Sequence, residues 1–319
     1  MLPFELKELV LGVISGEARA ISRALSLIER NSDPSGEKLL QRIYPYGGNT
    51  RIVGITGAVG VGKSSLIFQL ARALRKRGHT VGVISIDPTS PISHGAFLGD
   101  RVRMQDLTAD QGVFIRSVAG GADSVESLTR KIFGLVHVME ASGKHFVLVE
   151  TMGSGQSDCL IAKVAQSTLY VSIPSLGDEI QAMKAGILEM SDIVVINKAD
   201  HEGTDRAITW WKNIFSLETR KSGAWKTPIL AVNSLTGEGA GPILTAIDDH
   251  ERHMKDSGEW ERRKKEAIRT EVKMLILERL RSEIETRVNE NDIGGLLERK
   301  TDPLAYIDKA LRKKRKTYA

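Results

Sequence analysis

The spacing of apolar residues divides the chain into three stretches of different character. Over residues 4–14, Leu6, Leu9, Val10 and Val13 recur on one helical face, and Ser15-Gly16 ends the run. Residues 17–30 resume it with Ile21, Leu25 and Ile28, and a short helical pattern at 37–43 follows the loop at 31–36. From Arg51 the period changes. Apolar runs at 52–56, 81–86, 146–150, 168–173, 192–197 and 228–232 read as buried strands, with 113–117 as a further candidate. Helical patterns lie between most of them, at 63–77, 124–140, 158–165, 178–189 and 205–217. Beyond Ile247 the chain is helical again. Residues 259–290 carry a stripe of Ile268, Val272, Leu275, Ile276, Leu280, Ile284 and Val288, which must be buried either on the same chain or on a second copy. The run Asn291-Asp292-Ile293-Gly294-Gly295 is expected to break that helix, and a last one follows Asp302-Pro303.

Continuous apolar strands alternating with helices predict an α/β fold, and the run Gly57-Ala58-Val59-Gly60-Val61-Gly62-Lys63-Ser64 between the first strand and its helix narrows it to the P-loop NTPase type. Its mainly parallel sheet has helices on both faces, and a helical hairpin and a helical arm flank it. The expected parts are an N-terminal helical segment (1–48), a nucleotide domain (49–250) and a C-terminal arm (251–319). In such sheets ligands bind beyond the carboxyl ends of the strands. Asp87, Glu150 and Asn197 each close an apolar strand, so all three are expected at one crevice.

The run Gly57-Ala58-Val59-Gly60-Val61-Gly62-Lys63-Ser64 reads G-x-x-x-x-G-K-S, between a strand and a helix as a phosphate-binding loop requires. The backbone from Gly57 through Val59, Gly60, Val61 and Gly62 to Ser65 offers amides to phosphate oxygens at a helix N-terminus. Lys63 is the candidate for the β- and γ-phosphates, and Ser64 for Mg²⁺. Asn197-Lys198-Ala199-Asp200 follows a strand as N-K-x-D. Its carboxylate can accept two hydrogen bonds from guanine, whereas adenine offers neither donor there. A buried unpaired acceptor costs about 1–3 kcal/mol, more when charged. Asn233-Ser234 lies after the next strand, placed to close over the base. Glu150-Thr151-Met152-Gly153 can hold the metal shell through its carboxylate and sense the γ-phosphate through Gly153. Asp87 and, in the following loop, Asp100 are further candidates for Mg²⁺ and the γ-phosphate.

Bulk properties narrow the setting. In 319 residues there is one cysteine, Cys159, which rules out an internal disulfide. The start lacks a basic region followed by an apolar core, and no apolar run approaches a membrane span, so a cytoplasmic protein without a membrane partner is expected. Much of the net charge of +5 comes from Arg312-Lys313-Lys314-Arg315-Lys316. No aromatic platform accompanies this run beyond Tyr318, so nucleic acid is not the expected partner. Of seven scattered histidines only His250 and His253 stand at i,i+3, a poor metal signal.

Taken in order, Asp87-Pro88-Thr89-Ser90-Pro91, Gly95–Met104, Glu150–Ser157, Gly177-Asp178-Glu179-Ile180-Gln181-Ala182-Met183-Lys184 and Asn197–Asp200 resemble the MeaB/ArgK-type GTPases over nearly the whole chain. The resemblance implies a SIMIBI-class GTPase that binds GTP or GDP with Mg²⁺ and forms a homodimer. It implies a chaperone that gates cofactor loading of an adenosylcobalamin-dependent acyl-CoA mutase, such as methylmalonyl-CoA mutase, and protects it. By that similarity Lys63, Asp87, Asp100 and Glu150 are the catalytic group, and Ser64, Asp87, Asp100 and Glu150 face the metal. Gly153 and Gln156 belong to a switch, and Gly177, Asp178, Gln181 and Lys184 to another that relays partner binding. The chain departs from the family at Met152 and Ser154, at Pro174–Gly177, at Asn233-Ser234 and in a shortened turn after Arg116. Rival readings are a kinase or ATPase tied to lysine/arginine/ornithine transport, and a nucleotide-switched binding module.

Overall fold

The computed structural model describes residues 3–30, 34–87, 107, 109–120, 125–153, 158–174, 186–217, 223–285 and 290–312. Three helices come first: α1 (Pro3–Ile14), α2 (Ala18–Glu29) and α3 (Pro34–Ile43). Their apolar stripes, Leu6, Leu9, Val13, Ile21, Leu25 and Ile28 among them, are buried as the spacing predicts. Among the described residues seven strands follow: β1 (Arg51–Thr56), β2 (Val81–Asp87), β3 (Val113–Ala119), β4 (Phe146–Glu150), β5 (Ser167–Ser172), β6 (Ile193–Asn197) and β7 (Ile229–Val232). They form one sheet in the order β3-β2-β4-β1-β5-β6-β7, with every neighbouring pair parallel. The candidate strand at 113–117 is β3, on an edge beside β2. The helices are α4 (Lys63–Lys76), α5 (Val125–Ala141), α6 (Asp158–Val164), α7 (Ile187–Met190), α8 (Thr204–Leu217), α9 (Ala240–Ser257), α10 (Glu259–Glu285), α11 (Glu290–Leu297) and α12 (Pro303–Arg312). Of the helix expected at 178–189, residues 178–185 lie outside the described residues.

Side chains alternate across a strand, so each strand feeds two cores. Val53 and Ile55 of β1, with Leu148, Leu169, Val171, Ile193 and Val195, pack on α4 and α9. Ile52, Ile84, Ile86, Val147 and Val149 face the other way. They share one core with α5, α6 and all three N-terminal helices. Arg116 of β3 adds a polar tie to those helices: its guanidinium donates to both carboxylate oxygens of Glu29 at 2.6 and 2.7 Å and to the Ser26 hydroxyl at 3.1 Å.

The foot of β6 is built around a buried charge. Arg263 of α10 places two guanidinium nitrogens 2.7 and 2.8 Å from the two Asp192 oxygens, and one of them also donates to the Gln166 carbonyl at 2.7 Å. His250 Nε2 lies 3.3 Å from the same carboxylate, and the Thr168 amide donates to it at 2.8 Å. Burial pushes the Asp192 carboxyl up, but hydrogen bonds from His250 and Arg263 outweigh it and hold the group below the usual carboxylate range. His250 is therefore engaged by a carboxylate, and the His253 ring lies beside Trp225. Among the described residues no group of three or more histidine, cysteine or acidic side chains could hold a metal.

A second, partly buried ion cluster joins α5 to α10. His137 places Nδ1 3.2 Å from Glu140 and Nε2 2.8 Å from Glu271. Burial opposes its charge, yet the two carboxylates overcome that and raise its pKa to about 9. A folded-state pKa above the unfolded value near 6.5 means the contribution is complete below pH 6.5 and is lost as pH rises toward 9. We expect up to about 3 kcal/mol of stability to disappear across that window. Urea melts at pH 6.5 and 9.5 check this. A His137→Gln variant should flatten the difference, and an equally steep profile in that variant would refute the assignment.

By contacts the chain divides into two compact units, Met1–Glu271 and Val272–Ala319, with the boundary inside α10. On the second unit Val272, Leu275, Ile276, Leu277 and Leu280 are each about half exposed. The break expected at 291–295 does not occur: α11 runs through Gly294 and Gly295. A glycine costs a helix about 1 kcal/mol but leaves its backbone hydrogen bonds intact. The Glu298 amide still reaches the Gly294 carbonyl at 3.0 Å, and the stop comes at Arg299, whose φ of 56° is left-handed. Asp302 then caps α12, accepting from the Leu304 and Ala305 amides at 2.9 and 3.0 Å. No helix among the described residues is long and apolar enough to cross a membrane.

Candidate nucleotide-binding site

The central strand β1 delivers the glycine loop, and α4 begins at Lys63 directly after it. Gly57 has φ 143°, and a Cβ there would collide with the Val171 carbonyl oxygen of β5, so only glycine fits. Gly62 has φ 93° and lies against the Asn197 carboxamide. Val61 is buried in the core beneath the loop while Val59 is exposed at its tip, so only the backbone of these two can face a phosphate. Lys63 Nζ donates to the carbonyls of Gly57 at 2.8 Å and Ala58 at 3.0 Å, folded along the loop it serves.

The acidic strand ends gather here. The Ser64 hydroxyl donates to Glu150 Oε1 at 2.8 Å, and the Ser85 hydroxyl to Oε2 at 3.3 Å. Asp87 is buried at the end of β2, two residues past Ser85, which pairs with Glu150 across the sheet. A hydroxyl and two carboxylates form the all-oxygen donor set that a hard cation such as Mg²⁺ takes. After β4, Thr151 donates from its hydroxyl to Thr56 at 3.0 Å, and its amide bonds the Ile55 carbonyl at 3.1 Å. Gly153 then touches the phosphate loop: a Cβ on it would clash with the Gly57 carbonyl and lie 3.0 Å from Lys63 Nζ.

On the other flank, Asn197 at the head of β6 donates from Nδ2 to the Val61 carbonyl at 2.7 Å and accepts from the Ser234 amide at 3.1 Å. One side chain thus ties the phosphate loop to the loop after β7. Asn233 shapes that loop. Its Oδ1 accepts from the amides of Leu235 at 3.0 Å and Thr236 at 3.3 Å, while Nδ2 donates to Asp200 Oδ1 at 3.0 Å. Lys198 adopts φ 57°, which turns the chain so that Asp200 comes round to Asn233. A cavity of about 650 Å³ opens between these parts, lined by Gly60, Ser65, Phe68, Lys198, Asp200 and Leu235 among others. It has the size of a small-molecule site and a carboxylate at one wall.

Lys63, Ser64, Glu150, Gly153 and Asn197 are therefore in one place, and Asp200, Asn233 and Ser234 form its other wall. Asp100, Gln156, Gly177, Asp178, Gln181 and Lys184 lie outside the described residues. Gln69 escaped the sequence reasoning. It is a buried amide on α4, among the apolar residues Leu66, Ile67, Leu70 and Leu74, and that placement is the one signal that could have flagged it.

Comparison with known proteins places the chain among relatives. A family model described as "Methylmalonyl Co-A mutase-associated GTPase MeaB" matches residues 21–289. A Pyrococcus horikoshii protein provisionally named a GTPase is 37% identical over 312 residues, covering 96% of this chain and 97% of its own. The Escherichia coli protein named GTPase ArgK is 32% identical over 249 residues, covering 76% of this chain and 75% of its own. The mouse "Methylmalonic aciduria type A homolog, mitochondrial" is 28% identical over 91% of this chain and 73% of its own. Among solved structures, one described as an LAO/AO transport system kinase superposes with a TM-score of 0.73 at 24% identity, covering 98% of both chains, which establishes the fold.

Proposed function

The chain belongs to the MeaB family of methylmalonyl-CoA mutase-associated GTPases, and from that premise we propose that it is a Mg²⁺-dependent switch that gates cofactor loading of an adenosylcobalamin-dependent acyl-CoA mutase and protects that enzyme. The observation that carries the reading is the contact of Gly153 with Gly57 and Lys63, three residues after Glu150 meets Ser64. A γ-phosphate entering at Lys63 meets the loop after β4 as well as the phosphate loop. Its presence and its loss therefore change what that loop can touch.

Hydrolysis of a phosphoanhydride asks mainly for positioning and charge stabilisation. The loop amides from Gly57 to Ser65 hold the phosphates, and Lys63 offsets charge on the β- and γ-oxygens. Mg²⁺, held by Ser64, Asp87 and Glu150 with Asp100 as a further candidate, would supply additional charge neutralisation at those oxygens. Glu150, fixed by Ser64 and Ser85, keeps its carboxylate beside the first turn of α4. Asp200 reads the guanine edge, and Asn197, Asn233 and Ser234 set the wall around it. In this reading Gln156 and the segment Gly177, Asp178, Gln181 and Lys184 convey nucleotide state to the client. The exposed stripe of Val272, Leu275, Ile276 and Leu280 pairs two copies.

The test combines purified protein with such a mutase, in the presence of GDP or of a non-hydrolysable GTP analogue. Binding should differ at least tenfold between the two nucleotide states, and the mutase should raise GTP turnover. Equal binding in both states with unchanged turnover would remove the chaperone role. Sedimentation of the chain with and without residues 272–319 reports the dimer in the same preparation. A dimer that persists after the deletion excludes the stripe as its interface.

A further inference from the structure

We infer that Gln69 is a positioning residue for guanine recognition, clamping the base-side loop to the helix that carries the phosphate-binding lysine. The inference rests on the GTPase reading above and adds a residue to it. Gln69 lies six positions after Lys63 on α4 and is only 8% exposed. Its Nε2 donates to two successive carbonyls, Ser234 at 3.1 Å and Leu235 at 3.2 Å. Its Oε1 faces Gly237, where an added Cβ would lie 2.7 Å from that oxygen, so the loop approaches the carboxamide as closely as a glycine allows.

The grip is two-sided. Asn197 holds the Ser234 amide from the head of β6, and Gln69 holds the Ser234 and Leu235 carbonyls from α4. Residue 233, immediately before this peptide, orients Asp200 through its Nδ2. The loop itself is a tight turn, with the Gly237 amide on the Asn233 carbonyl at 2.8 Å and the Asn233 amide on the Glu238 carbonyl at 2.9 Å. A turn this compact moves as a body. Releasing one of its two anchors therefore loosens Asn233, and with it the carboxylate that reads the base. The bonds of Lys63 to Gly57 and of Ser64 to Glu150 do not involve this loop and are kept.

Removing the donor without removing volume separates this role from packing. In Gln69→Met, loss of two hydrogen bonds, one buried and one partly buried, should speed dissociation of a fluorescent GDP roughly ten- to thirtyfold. KM for GTP should rise by a similar factor while kcat moves less than threefold. Discrimination between GDP and IDP, which lacks the exocyclic amine, should narrow. Gln69→Glu has the same shape but faces two carbonyl oxygens with a carboxylate, so it should exceed the Met variant in effect. Gln69→Asn, one methylene shorter, is the milder variant and must move in the same direction. If the wild type fails to bind GDP, the GTPase reading itself falls. If the wild type binds and the soluble variants release GDP within twofold of it, with GDP/IDP discrimination unchanged, the clamp is wrong and the GTPase reading stands. A lowered melting temperature with unaltered nucleotide release would likewise overturn the clamp, because that is packing alone.

Discussion

Lys63→Ala should reduce GTP turnover by about 10²–10³-fold, the cost of deleting one preorganised charge aimed at a reacting group. A unit charge about 4 Å from another is worth on the order of 4 kcal/mol at an effective dielectric near 20. That corresponds to about a thousandfold in rate, and a site walled by protein on both flanks lies on the favourable side of the value. The loop itself should survive. Its shape is set by the left-handed glycines, by the Val61 side chain in the core and by Asn197 on the Val61 carbonyl, none of which needs the lysine. What disappears is the ammonium between the Gly57 and Ala58 carbonyls and the neighbouring Gly153. Phosphate release measured at saturating GTP decides the matter, with circular dichroism confirming the fold. Turnover within threefold of wild type would move the catalytic assignment elsewhere.

Asp200→Asn should exchange the preferred base. Guanine presents two donors on one edge, the ring N1–H and the exocyclic amine, and a carboxylate accepts both. Xanthine keeps N1–H but carries a carbonyl where guanine has the amine, so it calls for one acceptor and one donor. A carboxamide supplies that pair. Asn233 helps to choose its orientation, because its Nδ2 donates to Oδ1 and needs an oxygen there, leaving the amide nitrogen for the ligand. We expect kcat/KM for GTP to fall about 10²–10³-fold and that for XTP to rise comparably, since a mismatched polar edge leaves buried groups unpaired. Steady-state assays with the two nucleotides test it. Unaltered preference for GTP would show that Asp200 does not read the base.

How much of this could be read from residues alone follows from how local each constraint is. The glycine loop is eight consecutive residues whose backbone geometry the residue types dictate, and Gly57 and Gly62 stand where only glycine fits. Glu150 and Asn197 were legible because a polar residue closing an apolar parallel strand has one place to go. Asn197 shows where this stops. Its place at the head of an apolar strand was visible, but its bond to the Val61 carbonyl, 136 residues back, was not. Arg263 with Asp192 and His137 with Glu271 join residues 71 and 134 apart, and helical or strand periodicity carries no information on such pairs. Gln69 looked like one polar interruption in a buried helix face, and only the folded loop after β7 gives it a partner. The glycine pair at 294–295 misled in the opposite direction, since a propensity cost of about 1 kcal/mol weakens a helix without ending it.

The N-terminal helices share an interior with the sheet rather than leaning on it. Leu25, Leu39 and Ile43 are fully covered, in the same core as Ile84, Ile86 and Val149. Truncation before β1 would thus strip a wall from the catalytic module and leave an oily face open to water. A minimal GTPase prepared from this chain must start at its first helix, and grafts or tags belong ahead of that helix rather than at the junction with the first strand.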